Sequence, residues 1–116
     1  MSDVTIYHNP ACGTSRNTLA LLRDKGIEPA IVEYLKAGWT KDQLRDLLKR
    51  LGRSAHEVLR VRGTEAHELG LTDPAASEDA LIAAMILRPI LVERPIVVTP
   101  KGAALCRPAE LVLALL

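Results

Sequence analysis

The first third of the chain changes from alternating apolar and polar positions to helical spacing and back. Residues 4–7 are β-branched or aromatic at alternating positions and predict a strand. Residues 14–25 place Leu19 and Leu22 on one helical face, and residues 31–35 predict a second strand. Because a strand, a helix and a strand follow in quick succession, we expect a βαβ unit with parallel strands and a right-handed crossover.

The predicted helices have recognisable starts and stops. Ser and Thr residues precede the apolar runs, Gln or Glu follows three positions later in two cases, and Gly or Pro ends the runs. The signals are Thr14 and Gly26 for the first helix, Thr40, Gln43 and Gly52 for the second, Ser54 and Glu57 for a short third ending near Leu59, and Ser77 and Pro89 for the fourth.

The last twenty residues predict a hairpin and a closing helix. Residues 96–99 and 103–106 are strand-like and are separated by a three-residue turn, Pro100–Gly102. Pro108 suits the first turn of a final helix over residues 109–116. A βαβ half and a ββα half therefore flank a helical segment. This order is typical of an α/β thioredoxin-like (glutaredoxin-like) fold with a small four-stranded mixed sheet and a helical insertion, organised as a single domain over residues 1–116.

Composition narrows the class of protein. The 116 residues are 48% hydrophobic and 25% charged with a net charge of +1, which predicts neither a nucleic-acid partner nor a membrane surface as partner. The longest apolar run, residues 80–87, is too short to span a membrane, and the first residues do not resemble a signal peptide. Two cysteines are too few for a disulfide scaffold. We expect a cytoplasmic protein, and a monomer.

Cys12 is the candidate reactive residue, because it follows the first strand and directly precedes a helix. Helix N-termini favour thiolate over thiol, and the N–H groups there bind anions. Gly13, Thr14, Ser15 and Arg16 offer backbone N–H groups, two hydroxyls and a guanidinium to such an anion, and His8 offers a positive charge or a hydrogen bond. Burial as a small apolar side chain is the alternative for Cys12.

Two known classes of cysteine enzyme do not fit this spacing. A phosphatase-type loop needs a cysteine, five further residues and then an arginine, but the position of that arginine is occupied by Thr18 in this chain. A dithiol oxidoreductase needs a second cysteine where Ser15 stands. Cys106 ends an apolar strand and is expected to be structural, and His56 and His67 form no metal-ligand pattern with Cys12, so no metal is expected.

Two arginines precede prolines at element boundaries, Arg94-Pro95 and Arg107-Pro108. A residue before proline is held in an extended conformation, so both arginines lie at fixed junctions. Thioredoxin-like folds often have a cis proline where Pro95 stands. The alternative for each of these two arginines, and for Arg60, is an ordinary solvated arginine on the surface.

Residues 7–19, YHNPACGTSRNTL, resemble the arsenate reductases of the glutathione/glutaredoxin-coupled class, the ArsC type. Residues 94–100 and 105–108 match as well, and the similarity extends over essentially the whole chain. The resemblance implies that Cys12 attacks arsenic, that His8 and Ser15 hold Cys12 as thiolate, and that the oxyanion is bound by three arginines with Gly13 and Thr14. The three arginines are Arg60, Arg94 and Arg107.

The resemblance also implies no bound cofactor, with arsenate as substrate, glutathione as co-substrate and glutaredoxin as protein partner. Because Ser15 occupies the resolving position, the second thiol has to come from outside the chain. Two alternatives stay open. One is a regulator of the kind that binds RNA polymerase and senses redox state (Spx-like), although these generally use Cys-x-x-Cys. The other is a monothiol glutathione-dependent oxidoreductase without arsenate activity.

Overall fold

The computed structural model describes residues 3–116, which contain a four-stranded mixed sheet. Its strands are β1 (Thr5–His8), β2 (Ala30–Glu33), β3 (Ile96–Thr99) and β4 (Gly102–Leu105). Their spatial order is β2-β1-β3-β4, with β1 and β2 parallel and the other two pairs antiparallel. The parallel pairing and the mixed sheet confirm both the predicted βαβ unit and the predicted fold class.

Five α-helices and two 3-10 helices occur among the described residues. They are α1 (Gly13–Asp24), α2 (Tyr34–Ala37), α3 (Lys41–Leu51), α4 (Ala55–Val58), α5 (Glu78–Leu87), and the 3-10 helices Pro89–Leu91 and Ala109–Leu115. No helix in residues 3–116 has the length and apolar character needed to cross a membrane.

The chain divides into two compact units. One comprises the residues up to Ala37 together with Arg94–Leu116, and it holds the sheet, α1 and the last 3-10 helix. Its aliphatic core is formed by Val4, Ile6, Leu19, Leu22, Val97, Cys106 and Val112. The other unit, Gly38–Glu93, is helical and corresponds to the predicted insertion. Within it, the buried residues of α5 are Leu81, Ile82 and Met85.

The capping signals of the helical unit are confirmed. Thr40 and Gln43 form the predicted capping box, and Gly52 ends α3 in the left-handed conformation that a glycine adopts without strain. Ser54 and Glu57 form the second box at the start of α4, and the Ser77 side chain accepts from the Ala80 N–H at the start of α5. These local signals hold because each cap involves only residues three positions apart.

The predicted boundaries were wrong at two places near the reactive cysteine and β2. Cys12, and not Thr14, is the N-cap of α1, with no side-chain cap. The second strand ends at Glu33, and Tyr34 begins α2. Tyr34 is fully buried, so a tertiary contact decided where the chain leaves the sheet although Tyr34 and Leu35 are strand-like residues.

The C-terminal hairpin also differs in detail. Gly102 pairs with Thr99 and belongs to β4, so the connection is the two-residue Pro100-Lys101 rather than three residues. The last segment is a 3-10 helix with Pro108 as its extended N-cap, not an α-helix with Pro108 in its first turn. The Arg94–Pro95 bond is cis as expected, and Arg107–Pro108 is cis without having been predicted.

Candidate active site

Cys12 is the last residue of the loop between β1 and α1. Its backbone is extended, with φ −93° and ψ 121°, and its carbonyl accepts the Arg16 N–H at 3.0 Å. Its own N–H donates to the Asn9 carbonyl at 3.0 Å, which closes the loop behind it. The side chain is partly exposed. A half-exposed thiol at a helix N-terminus is in the environment that activates cysteines.

Several donors meet at the Cys12 sulfur and lower its pKa. Burial works in the opposite direction, but the backbone N–H groups of Ser15 and Thr14 and the guanidinium groups of Arg107 and Arg94 outweigh it. Nη1 of Arg107 lies 3.7 Å from Sγ. Because every one of these donors prefers a negatively charged acceptor, they favour the thiolate.

His8 and Ser15 form a buried pair behind the cysteine loop. Nδ1 of His8 lies 2.5 Å from the Ser15 hydroxyl oxygen, within hydrogen-bond distance, and the same oxygen accepts the Asn9 N–H at 3.1 Å. Ser15 is completely buried, and the side-chain oxygen of Asn9 accepts the Ala11 N–H at 3.0 Å. This network fixes the loop from which Cys12 projects. Sequence reasoning missed Asn9, although Asn before Pro is a turn signal.

The structure favours one of the two roles considered for His8. Burial lowers the pKa of His8, and the charges of Arg16 and Arg23 add to this, while Glu33 opposes it. The imidazole is therefore neutral near pH 7, and its described contact is with Ser15. Of the two roles, the geometry therefore favours hydrogen bonding: His8 orients Ser15, and it does not supply a positive charge beside the sulfur.

Arg94 and Arg107 come from the two junctions before proline and both act on Cys12. Arg94 is only 8% exposed, and its Nε and Nη1 atoms have no hydrogen-bond partner within residues 3–116. Nη1 of Arg107 donates to the Arg94 carbonyl at 2.9 Å, which ties the two junctions together. Buried cationic donors without a partner are costly. Arg94 is therefore suited to an anion that would satisfy these donors, and the exposed Arg107 lies next to it.

Arg60 lies in the helical unit, and its contacts given below are with residues of the same unit. Its Nη1 forms an ion pair with Oε1 of Glu93 at 2.8 Å, and both side chains are mostly buried. Its backbone N–H donates to the Leu91 carbonyl at 2.7 Å. Glu93 immediately precedes Arg94 in the chain, a neighbour that the sequence pattern did not single out.

The other residues of the predicted anion site occupy the first turn of α1. Gly13 is exposed and Thr14 partly buried, and the Thr14 N–H contributes to Cys12 as described above. The Arg16 guanidinium instead donates from Nη1 to the Pro10 carbonyl at 2.8 Å. Arg16 therefore lies over the loop rather than on the sulfur.

Cys106 is in a different environment. It is fully buried in the core of the sheet unit, and burial raises its pKa to about 12. Its S–H donates to the Ala104 carbonyl at 3.6 Å. The structural role expected for this residue agrees with its burial. Within residues 3–116, no group of three or more His, Cys, Asp or Glu side chains is placed to hold a metal ion.

Comparison with known proteins places the chain in a family. The ArsC family model matches residues 7–115. The chain is 52% identical to the arsenate reductase of Rhizobium meliloti, over 97% of this chain and 81% of that protein. It is 51% identical to the arsenate reductase of Escherichia coli strain K12, over 100% of this chain and 82% of that protein. Among solved structures, the arsenate reductase from Vibrio cholerae superposes on this chain with a TM-score of 0.92 and is 44% identical to it. The superposition covers 97% of each chain. The chain belongs to the ArsC family.

Proposed function

We propose that this protein is an oxidoreductase that reduces arsenate to arsenite through a covalent adduct on Cys12. The observation that carries the proposal is the meeting of a thiol of lowered pKa with Arg94, a buried guanidinium that has two donors unpartnered within residues 3–116. Curated relatives about half identical over the whole chain are named arsenate reductases, which supports the same substrate.

The first step joins sulfur to arsenic. The Cys12 thiolate attacks the arsenic of arsenate, a sulfur–arsenic bond forms, and one arsenic–oxygen bond breaks as protonated oxygen leaves as water. Arg94 and Arg107 bind the remaining oxygens, and Gly13 and Thr14 offer N–H groups at the helix N-terminus. By its position in the family pattern, Arg60 is proposed as the third arginine. Guanidinium groups stabilise the charge on these oxygens.

The second step supplies two electrons from two thiols. A glutathione thiolate attacks the Cys12 sulfur, a disulfide forms, and the sulfur–arsenic bond breaks with its electron pair left on arsenic, which departs as arsenite. A glutaredoxin thiol then attacks the glutathione sulfur and releases the Cys12 thiolate. His8 and Ser15 keep the loop of Cys12 in place through the cycle. An external reductant fits the presence of Ser15 three residues after Cys12 and the burial of Cys106.

The test is NADPH consumption in the presence of arsenate, glutathione, glutaredoxin and glutathione reductase, with Cys12→Ser beside the parent. Consumption that requires both arsenate and Cys12 supports the proposal. Turnover by Cys12→Ser contradicts the nucleophile assignment, and no arsenate-dependent consumption by the parent contradicts the proposed substrate.

A further inference from the structure

A concave surface lies beside the loop of Cys12, and apart from His8 the residues that line it take no part in the steps above. This cavity of about 480 Å³ is bounded by His8 and Pro10 on one side and by α1 on the other. The residues of α1 that line it are Arg16, Leu19, Ala20, Arg23 and Asp24. We call this cavity the α1 groove.

The α1 groove follows the face of the helix that begins at Cys12. Arg16, Leu19 and Arg23 are three and four positions apart within α1, the spacing that puts side chains on one face of a helix. With a rise of about 1.5 Å per residue, the groove begins about 6 Å along the helix from Cys12. Pro10, two residues before Cys12, forms its near wall. The groove therefore starts within about one helical turn of Cys12, a separation that a molecule of tripeptide size can span.

The charges of the α1 groove are unevenly paired. Arg23 makes a two-pronged contact with Glu28 at 2.9–3.1 Å, so its charge is compensated. Asp24 lines the far end, and the lowered pKa of His8 leaves that imidazole neutral. Arg16 is exposed and has no carboxylate partner within residues 3–116. The near end of the groove is therefore cationic.

The position of Arg16 relates this charge to the reactive loop. One nitrogen, Nη1, is anchored on the Pro10 carbonyl at 2.8 Å. A Cβ atom built on Gly13 would lie 3.7 Å from the other terminal nitrogen, Nη2. The guanidinium thus lies alongside the residues that flank Cys12, with donors left over. Leu19, Ala20 and the Pro10 ring supply apolar contacts for a carbon chain.

We propose that the α1 groove is the docking site for the small thiol that reduces Cys12, and that Arg16 binds a carboxylate of that thiol. The occupant is a carboxylate-bearing thiol of the glutathione type, whose carboxylates are separated from its sulfur by a short chain. The proposal rests on the external-thiol route described above. It adds a site on the enzyme at which that thiol is recognised before it reacts.

The test uses disulfide exchange at Cys12, which needs no arsenate. The rate of Cys12 modification is measured with oxidised glutathione, which carries carboxylates, and with hydroxyethyl disulfide, which is uncharged. The parent should prefer oxidised glutathione, and Arg16→Gln should lower the ratio of the two rates about fivefold to tenfold, because one charge-assisted contact is lost. An unchanged ratio in Arg16→Gln overturns the proposal.

Arg50→Gln is the matched control. Arg50 is also an exposed helical arginine, paired with Asp46 at 3.0 Å, and its loss changes the net charge by the same amount. The ratio should stay at the parent value in this variant. An equal fall in both variants would mean that overall charge, and not the α1 groove, selects the thiol, and would overturn the proposal.

A second measurement locates the site. S-methylglutathione cannot react with Cys12, so its binding is followed by the amide NMR signals of the parent and of Arg16→Gln. Shifts centred on Arg16, Leu19 and Ala20, and weakened in Arg16→Gln, support the proposal. Shifts centred elsewhere or no binding overturn it. Since neither experiment contains arsenate, an absence of arsenate turnover would contradict the proposed function and leave this result standing by itself.

Discussion

The two cysteines of this chain have the same chemistry and opposite surroundings. Cys12 is partly exposed and surrounded by N–H and guanidinium donors, which lower its pKa despite partial burial. Cys106 is fully buried among aliphatic side chains, and burial raises its pKa to about 12. Both belong to the sheet unit. The difference teaches that the surroundings, N–H and guanidinium donors at Cys12 and burial at Cys106, decide which cysteine can be a nucleophile.

The largest expected effect is on turnover. Cys12→Ser should reduce arsenate-dependent turnover to background, because a neutral hydroxyl is a far weaker nucleophile than a thiolate. Cys106→Ala should keep turnover within about twofold of the parent, since the thiol contacts only the core. Circular dichroism of both variants checks that they fold. A loss of turnover in folded Cys106→Ala would break the comparison.

Alkylation should separate the two thiols directly. At pH 7 in the folded protein, iodoacetamide should modify Cys12 at least about 100-fold faster than Cys106, because Cys106 becomes accessible only when the core opens. Peptide mass spectrometry over a time course gives both rates. The pH midpoint for Cys12 should lie below the ordinary thiol range. A midpoint at or above that range would contradict the lowered pKa.

Loss of an arginine near the Cys12 sulfur should have a smaller but measurable effect on the Cys12 pKa and on arsenate binding. Arg107→Gln should raise the alkylation midpoint of Cys12 and raise KM for arsenate about tenfold, because a hydrogen bond to a charged group is lost. Arg107→Lys, which keeps the charge but not the planar fork, should recover part of both effects. Unchanged kinetics and an unchanged midpoint in Arg107→Gln would exclude Arg107 from the site.

The smallest expected effect is on stability at alkaline pH. Because folding raises the pKa of Cys106, its contribution is fully present below the ordinary thiol pKa and is lost as the pH rises toward about 12. The lowered pKa of Cys12 has the opposite sign, so its contribution is lost as the pH falls. Between pH 8.5 and 10, titration of the Cys106 thiol in the unfolded chain should lower the free energy of unfolding by about 1.5 kcal/mol.

Urea unfolding of the parent and of Cys106→Ala at both pH values measures this contribution. The alanine variant should have lower stability at pH 8.5 because of the lost packing, but it should lose about 1.5 kcal/mol less than the parent on going to pH 10. Equal losses in the two proteins would show that Cys106 does not titrate in the way its burial requires.

Local signals in the sequence determined much of the fold. The capping boxes at Thr40 and Ser54 and the glycine stop at Gly52 were predictable because they depend on neighbours within one helical turn. The βαβ unit followed from hydrophobic periodicity and the handedness of crossovers. Where sequence reasoning failed, at Thr14, at Tyr34 and in the last 3-10 helix, the competing conformations differ little locally, and contacts with distant residues decided between them.

The features of the candidate active site also divide into those that the sequence predicted and those that only the folded structure shows. The sequence by itself predicted that Cys12 directly precedes a helix, since a strand, a loop and a helical run follow in order, and it singled out the arginines before Pro95 and Pro108. Only the tertiary structure decided that Arg107 reaches Sγ of a residue 95 positions away, that His8 bonds to Ser15, and that Cys106 is buried. The physical reason is that a pKa reports every donor and every buried surface around a group. Those surroundings are assembled from segments that only folding brings together.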